Sequence, residues 1–195
     1  MSTGARPEGL DGRLDAAFDA VPRVWFLPVG ARSRAGVDAP ILIGHEQTCS
    51  QPSTVRAMLA LLDVRAGQRV LDVGSGSGWT TALLAELVGR TGRVWGVELE
   101  PDLVAWGADN LASGPWTWAS IQRARPDAVG IPEHGPYDRI LVSADARRIP
   151  ADLLDQLAAE GRLVLPVRGT MTLVDRRDGA DEITEHGSFR FVPLR

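Results

Sequence analysis

The segment QRVLDVGSGSGWTTALLAELVG, residues 68–89, restricts the possible folds more than any other part of the chain. Its first half is a short apolar run, Val70, Leu71 and Val73, with the length and composition of a buried strand. It ends in Gly74-Ser75-Gly76-Ser77-Gly78, and a helical pattern (Leu83, Leu84, Leu87, Val88) starts at once and stops near Gly89. A strand that turns through glycines straight into a helix opens a βαβ unit. The pattern continues: GRVWGVELE reads as a second strand, PDLVAWGADNLA as a helix with Pro101 in its first turn, and WTWASIQ as a third, weaker strand. YDRILVSAD is a fourth strand, IPADLLDQLAA a helix and EGRLVLPV a fifth strand. The alternation predicts an α/β protein, a Rossmann-like, doubly wound and mostly parallel sheet. The tail MTLVDRRDGADEITEHGSFRFVPL adds a C-terminal antiparallel hairpin around Asp178-Gly179. Upstream, Leu14, Phe18 and Val21 mark a helix stopped by Pro22, and ARSRAGVDAP is a polar loop. Val55, Met58, Leu59 and Leu62 then mark one face of a helix that has Ser53 or Thr54 near its start.

In such a sheet, ligands bind at the carboxyl ends of the strands, beside the first strand-to-helix turn. A dinucleotide fingerprint needs G-x-G-x-x-G, and its third glycine would fall on Trp79, so that reading fails. Glycine at every second position lets the backbone curl closely around a ligand. Asp72 adds a carboxylate at the strand end, which favours a cationic or zwitterionic ligand over a pyrophosphate. Glu98 closes the second strand roughly 20–30 residues after the loop, where an acidic side chain can accept from both hydroxyls of a ribose. VLDVGSGSG together with VWGVELE resembles the S-adenosylmethionine site of class I methyltransferases. The resemblance implies that cofactor, with Asp72, Gly74, Ser75, Gly76, Gly78, Glu98 and Leu99 around it. Asp127 is a candidate acceptor for the adenine amino group, with the Ala128 backbone N–H facing a ring nitrogen; the simpler alternative is an exposed turn aspartate.

A chain of 195 residues is most simply one domain, and its 44% hydrophobic and 24% charged residues place it with soluble globular proteins. A net charge of −4 argues against a polyanion-binding face, so no nucleic-acid partner is expected. With Cys49 as the only cysteine there is no internal disulfide, and MSTGARPEG lacks a signal-peptide core. A cytoplasmic protein without membrane contact is the default expectation. His45, His134 and His186 are too dispersed to form a metal site. Trp79, Trp106, Trp116 and Trp118 read as packing residues.

Outside the cofactor motif, VPRVWFLP, GHEQTCSQP, GPYDRILVSADARRIP and the closing FVPL occur in a fixed order. Together they resemble the protein-L-isoaspartate O-methyltransferase family from about Leu14 onward. The resemblance implies methyl transfer to the α-carboxylate of L-isoaspartyl residues in damaged proteins or peptides. It places Thr48 and Ser50 in the active-site loop, Ser50 at the position treated as catalytic, and Gln47, Ser143 and Ala144 beside the substrate. Cys49 stands where the family usually has Ile, which makes it a packing residue. A carboxylate acceptor is already ionised at pH 7, so Ser50 orients it and does not attack. ARSRAGVDAP and Asp145 depart from the family pattern. These departures leave room for a dedicated peptide or small-molecule acceptor, or for a non-catalytic cofactor-binding module. Residues 1–12 are expected to form a loose arm and 13–195 one monomeric domain. Within it, 13–63 is the acceptor-loop and helical region and 64–195 the cofactor-binding core with the C-terminal strands.

Overall fold

The alternation of strand and helix is present throughout the computed structural model, which describes residues 9–125 and 127–195. Helix α1 (Leu10–Ala20) leads into two 3-10 turns, Arg23–Phe26 and Val29–Arg34. Strands β1 (Ile41–Gly44) and β2 (Gln47–Cys49) form a separate two-stranded ribbon before helix α2 (Pro52–Leu62). The core then runs through β3 (Arg69–Val73), α3 (Trp79–Val88), β4 (Arg93–Glu98), α4 (Pro101–Ala112) and β5 (Ala119–Arg123). It continues with β6 (Tyr137–Val142), α5 (Ala151–Asp155), β7 (Leu157–Val167), β8 (Thr170–Arg177) and β9 (Ala180–Ser188). The main sheet has seven strands in the order β5-β4-β3-β6-β7-β8-β9. Pairing is parallel from β5 to β7 and antiparallel at β8 and β9. This is the expected doubly wound sheet with its terminal hairpin.

Strand alternation sends successive side chains to two different layers. Val70 of β3 packs with α1 to α4, while Leu71 and Val73 pack with Ile131, Leu153 and the far face of the sheet. Asp72 shares Val70's face, and its partners are hydroxyls of the first turn of α3. The helix α3 starts against α4 at a point where two glycines meet. Gly78 has φ +90, and a Cβ there would lie 3.0 Å from the carbonyl oxygen of Gly107. A Cβ on Gly107 would lie 2.8 Å from the carbonyl oxygen of Gly76. Alanine at 107 would gain about 1 kcal/mol of helix propensity, but the obstacle is backbone of the glycine loop and not a side chain that can swing away. Close approach outweighs propensity, so this position needs glycine.

Three local expectations are revised. Helix α1 begins at Leu10, inside the stretch expected to be a loose arm, and residues 1–8 lie outside the described residues. Helix α5 ends at Asp155, short of its apolar pattern. The next two residues take other roles: Gln156 Nε2 donates to Val129 O at 2.8 Å, its Oε1 accepts from Ile131 N at 2.8 Å, and Leu157 pairs with Tyr137. The β1–β2 ribbon was not foreseen. Its two turn residues, His45 (φ 51) and Glu46 (φ 59), are left-handed, the geometry that suits the twist of a tight hairpin. Asn-Gly or Asp-Gly would have signalled such a turn, and His-Glu does not. None of the described helices is long and apolar enough to cross a membrane.

Candidate active site

From β3 the chain winds outward to β4 and β5, then crosses back to β6 on the other side of β3. The crevice at the carboxyl ends of these strands opens into a cavity of about 900 Å³. Residues 73–77 and 97–99 border it on one side, with 124–125 and 127–130 beyond. Residues 143–144, the 47–51 segment and the tail 188–195 form most of the remaining wall.

On the glycine-loop side, the backbone is stitched to the end of β4. Gly74 N and Ser75 N donate to Val97 O at 2.9 and 3.1 Å, and Ser75 Oγ donates to the same oxygen at 3.0 Å. Glu98 is buried, with one carboxylate oxygen accepting from Gly76 N at 2.9 Å. The other accepts from Leu99 N at 2.6 Å and Glu100 N at 3.1 Å. A carboxylate has about four lone-pair sites, so Glu98 keeps capacity for a further donor in the cavity. Asp127 and Ala128 border the same cavity; the Asp127 carboxylate is exposed and bonded to Arg125, Nε to Oδ1 at 3.2 Å.

Two expected cofactor residues lie elsewhere. Gly78 is outside the cavity walls and serves the α3–α4 approach. Asp72 is fully buried beneath the loop and does not border the cavity, because alternation along β3 turns it toward α3. Its Oδ2 accepts from Thr80 Oγ1 at 2.9 Å and Thr81 Oγ1 at 2.6 Å, while Oδ1 has no partner among the described residues. Burial pushes its pKa up to about 6; the two hydroxyls oppose the rise and the nearby Glu98 charge adds to it.

The folded-state pKa of Asp72 thus exceeds the unfolded one, and stability falls as pH rises from about 4 to about 6. The full penalty is in force above that window, on the order of 3 kcal/mol for a two-unit shift. Asp72→Asn keeps an acceptor for the two threonines and carries no charge. The stability of the variant relative to the parent is expected to improve by up to about 3 kcal/mol between pH 4 and pH 7. Urea unfolding of both chains at the two pH values measures it; an equal difference at both would refute a buried, titrating Asp72.

The acceptor side is built by the N-terminal region. Thr48 and Ser50 border the cavity, and Cys49 between them is 5% exposed in the core, its thiol pushed up by burial. Gln47 also borders the cavity, with its Nε2 donating to His45 O at 3.1 Å. Arg23 holds this region together from inside. Its Nη1 donates to Val37 O at 3.0 Å, and its Nη2 donates to Ala39 O and Cys49 O, both at 2.9 Å. One buried guanidinium thereby fastens ARSRAGVDAP against the active-site loop. Asp38 of that loop accepts from Ser53 N at 2.9 Å and caps α2 from outside. Trp79 is a packing residue whose indole donates to Val21 O at 3.1 Å, and the residue also borders the cavity.

Ser143 and Ala144 border the cavity, but Asp145 turns away. Asp145 Oδ1 accepts from Gly169 N at 2.9 Å, and its backbone bonds Val192 O at 2.7 Å and Leu194 N at 2.9 Å. The carboxylate is thus engaged with the β7–β8 turn and is not aimed at an anion in the site, while the Asp145 backbone pins the tail that forms one wall. Sequence reasoning assigned no site role to that wall, which includes Phe189, Phe191 and Val192. The closing FVPL motif was its only signal.

Comparison with known proteins is decisive at this point. The family model described as protein-L-isoaspartate(D-aspartate) O-methyltransferase matches residues 6–195. The chain belongs to the protein-L-isoaspartate O-methyltransferase family. It is 38% identical to the protein-L-isoaspartate O-methyltransferase of Methanococcoides burtonii, covering 100% of this chain and 97% of the relative. It is 42% identical to the one from Anaeromyxobacter dehalogenans, covering 94% and 90%. A crystal structure of a Plasmodium falciparum protein ascribed to this family, in complex with S-adenosyl-L-homocysteine, superposes with a TM-score of 0.83 at 25% identity. That match covers 94% of this chain and 90% of the other. Family membership thus agrees with the order of motifs and with the sheet that carries them.

Proposed function

We propose that this protein transfers a methyl group from S-adenosylmethionine to the α-carboxylate of L-isoaspartyl residues in damaged proteins or peptides. Family membership supports the reaction class. The observation that carries the reading for this chain is that Glu98 and the glycine loop border the same cavity as Thr48 and Ser50. Cofactor and acceptor can therefore meet inside one enclosure. The residues present fit the cofactor: left-handed Gly74 (φ 81) and Gly76 (φ 53) bring backbone to the wall, and Glu98 retains acceptor capacity for a ribose hydroxyl.

S-adenosylmethionine, when bound, supplies an electrophilic methyl on a sulfonium and leaves as neutral S-adenosylhomocysteine. The acceptor carboxylate, with a pKa near 4, is already an anion, so no general base is required. One carboxylate oxygen forms the new C–O bond as the C–S bond breaks, its electron pair passes to sulfur, and no proton moves. The work left to the protein is alignment and exclusion of water. Thr48 and Ser50 supply hydroxyl donors for the carboxylate oxygen that does not attack, leaving the other free. Ser143 and Ala144 keep the opposite wall small. The partner in this reading is an isoaspartyl-bearing protein or peptide, and the enzyme is a cytoplasmic monomer; with one cysteine, no internal disulfide requires an oxidising compartment.

The test uses labelled S-adenosylmethionine and two short peptides that differ only in Asp or isoAsp at one site. Base-labile methyl, released as methanol from the isoAsp peptide alone, is the expected result. Equal labelling of both peptides would exclude isoaspartyl selectivity. Labelling of neither, with S-adenosylhomocysteine still bound, would leave a dedicated acceptor or a cofactor-binding module.

A further inference from the structure

The β1–β2 ribbon has one face in the core and one face open. Ile41, Ile43 and Cys49 point inward at 2%, 6% and 5% exposure. Leu42 points the other way and is 68% exposed. Its register partner across the ribbon is Thr48. Directly paired residues project from the same face, with Cβ atoms about 5 Å apart. Pro40 immediately precedes the ribbon. Both Pro40 and Thr48 border the cavity, whereas Leu42 does not. A large, exposed apolar side chain thus stands directly beside Thr48 of the cavity wall, just outside it.

An exposed leucine by itself is ordinary. The position of this one is what matters. An isoaspartyl residue delivers its carboxylate to Thr48 and Ser50, and the rest of the peptide must leave the cavity on both sides of that residue. A chain leaving along the ribbon passes over its open face, where the first side chain it presents meets Leu42. We propose that Leu42 is a specificity-determining residue, an apolar shelf for the side chain next to isoaspartate that favours acceptors with an aliphatic or aromatic neighbour. Glycine offers nothing to cover the leucine, and an acidic neighbour would lose hydration against it without gaining a partner. This inference rests on the methyltransferase reading above.

The experiment uses the full-length chain and isoaspartyl peptides that carry Leu, Gly, Glu or Lys immediately before or immediately after the isoaspartate. For one of the two flanks, kcat/KM for the Leu peptide is expected to exceed that for the Gly peptide by about fivefold or more, mainly through KM. Leu42→Ser should bring that ratio close to one, and Leu42→Glu should make the Lys peptide better than the Leu peptide. Both substitutions are at an exposed position, and affinity for S-adenosylhomocysteine should stay within about twofold, which reports an intact fold and cofactor site. A Leu preference that persists in Leu42→Ser, or a wild type indifferent to both flanks, would overturn the inference and leave the methyltransferase reading intact. Failure of the wild type to methylate any isoaspartyl peptide would overturn both.

Discussion

Glu98→Ala is expected to weaken S-adenosylhomocysteine binding about 100-fold, measured by calorimetry on the folded protein. The carboxylate has two roles in one position. It receives three backbone N–H groups, from Gly76, Leu99 and Glu100, and so sets the shape of the wall at the end of β4. It also keeps acceptor capacity for a ribose hydroxyl, and a hydrogen bond to a charged acceptor is worth about 1.5–3 kcal/mol. Alanine removes both contributions and leaves three donors seeking water. Glu98→Gln separates them. Its carbonyl oxygen can still serve Leu99 and Glu100, but its amide then presents N–H toward the N–H of Gly76. An intermediate loss of about tenfold is expected for glutamine. Binding within threefold of wild type for both variants would remove Glu98 from the cofactor site.

Ser50→Ala should lower kcat about 100-fold while leaving S-adenosylhomocysteine affinity within about twofold. The magnitude comes from alignment, since a misplaced acceptor of about 1 Å costs on the order of a hundredfold in an in-line displacement. A hydroxyl that merely stabilised the anion would make it a poorer nucleophile, so the benefit must come from holding the non-attacking oxygen. The pH profile distinguishes this role from base catalysis. An ionised acceptor needs no base, so the variant should lose rate by the same factor from about pH 6 to pH 9. A loss that grows toward one end of that range, or a matching loss of cofactor affinity, would refute the positioning role. Single-turnover rates with a saturating isoaspartyl peptide give the methyl-transfer step itself, separated from product release.

Much of the fold was legible because the information is local. Val70, Leu71 and Val73 before the glycines, then Leu83, Leu84 and Leu87 after them, specify strand, turn and helix within one short stretch. Asp178-Gly179 marked the terminal hairpin for the same reason. The elements that were misread are those decided by distant partners. Helix α5 stops because Gln156 reaches Val129 and Ile131, far from it in sequence. The β1–β2 ribbon folds through left-handed His45 and Glu46, residues that ordinarily avoid that region.

The site divides along the same line. Glu98 at the end of its strand and the Thr48–Ser50 loop could be named from motif and resemblance, and both border the cavity. Asp72 looked equally eligible, since nothing in a linear motif tells which face of β3 its side chain takes. Only the packing of α3 against that strand shows that it lies beneath the loop, bonded to Thr80 and Thr81. Arg23 is a similar case. A basic residue after Pro22 gives no hint that it will be buried and bonded to carbonyls at 37, 39 and 49.

The sequence by itself therefore determined the order of strands and helices from β3 onward, the glycine turn and the family, because these depend on periodicity and on residues close together in the chain. Which carboxylates face the cavity, which glycines serve packing, and how the tail closes the cavity were decided only by tertiary structure. Those properties depend on which side of a strand meets which layer, and that relation arises only when segments distant in sequence pack together.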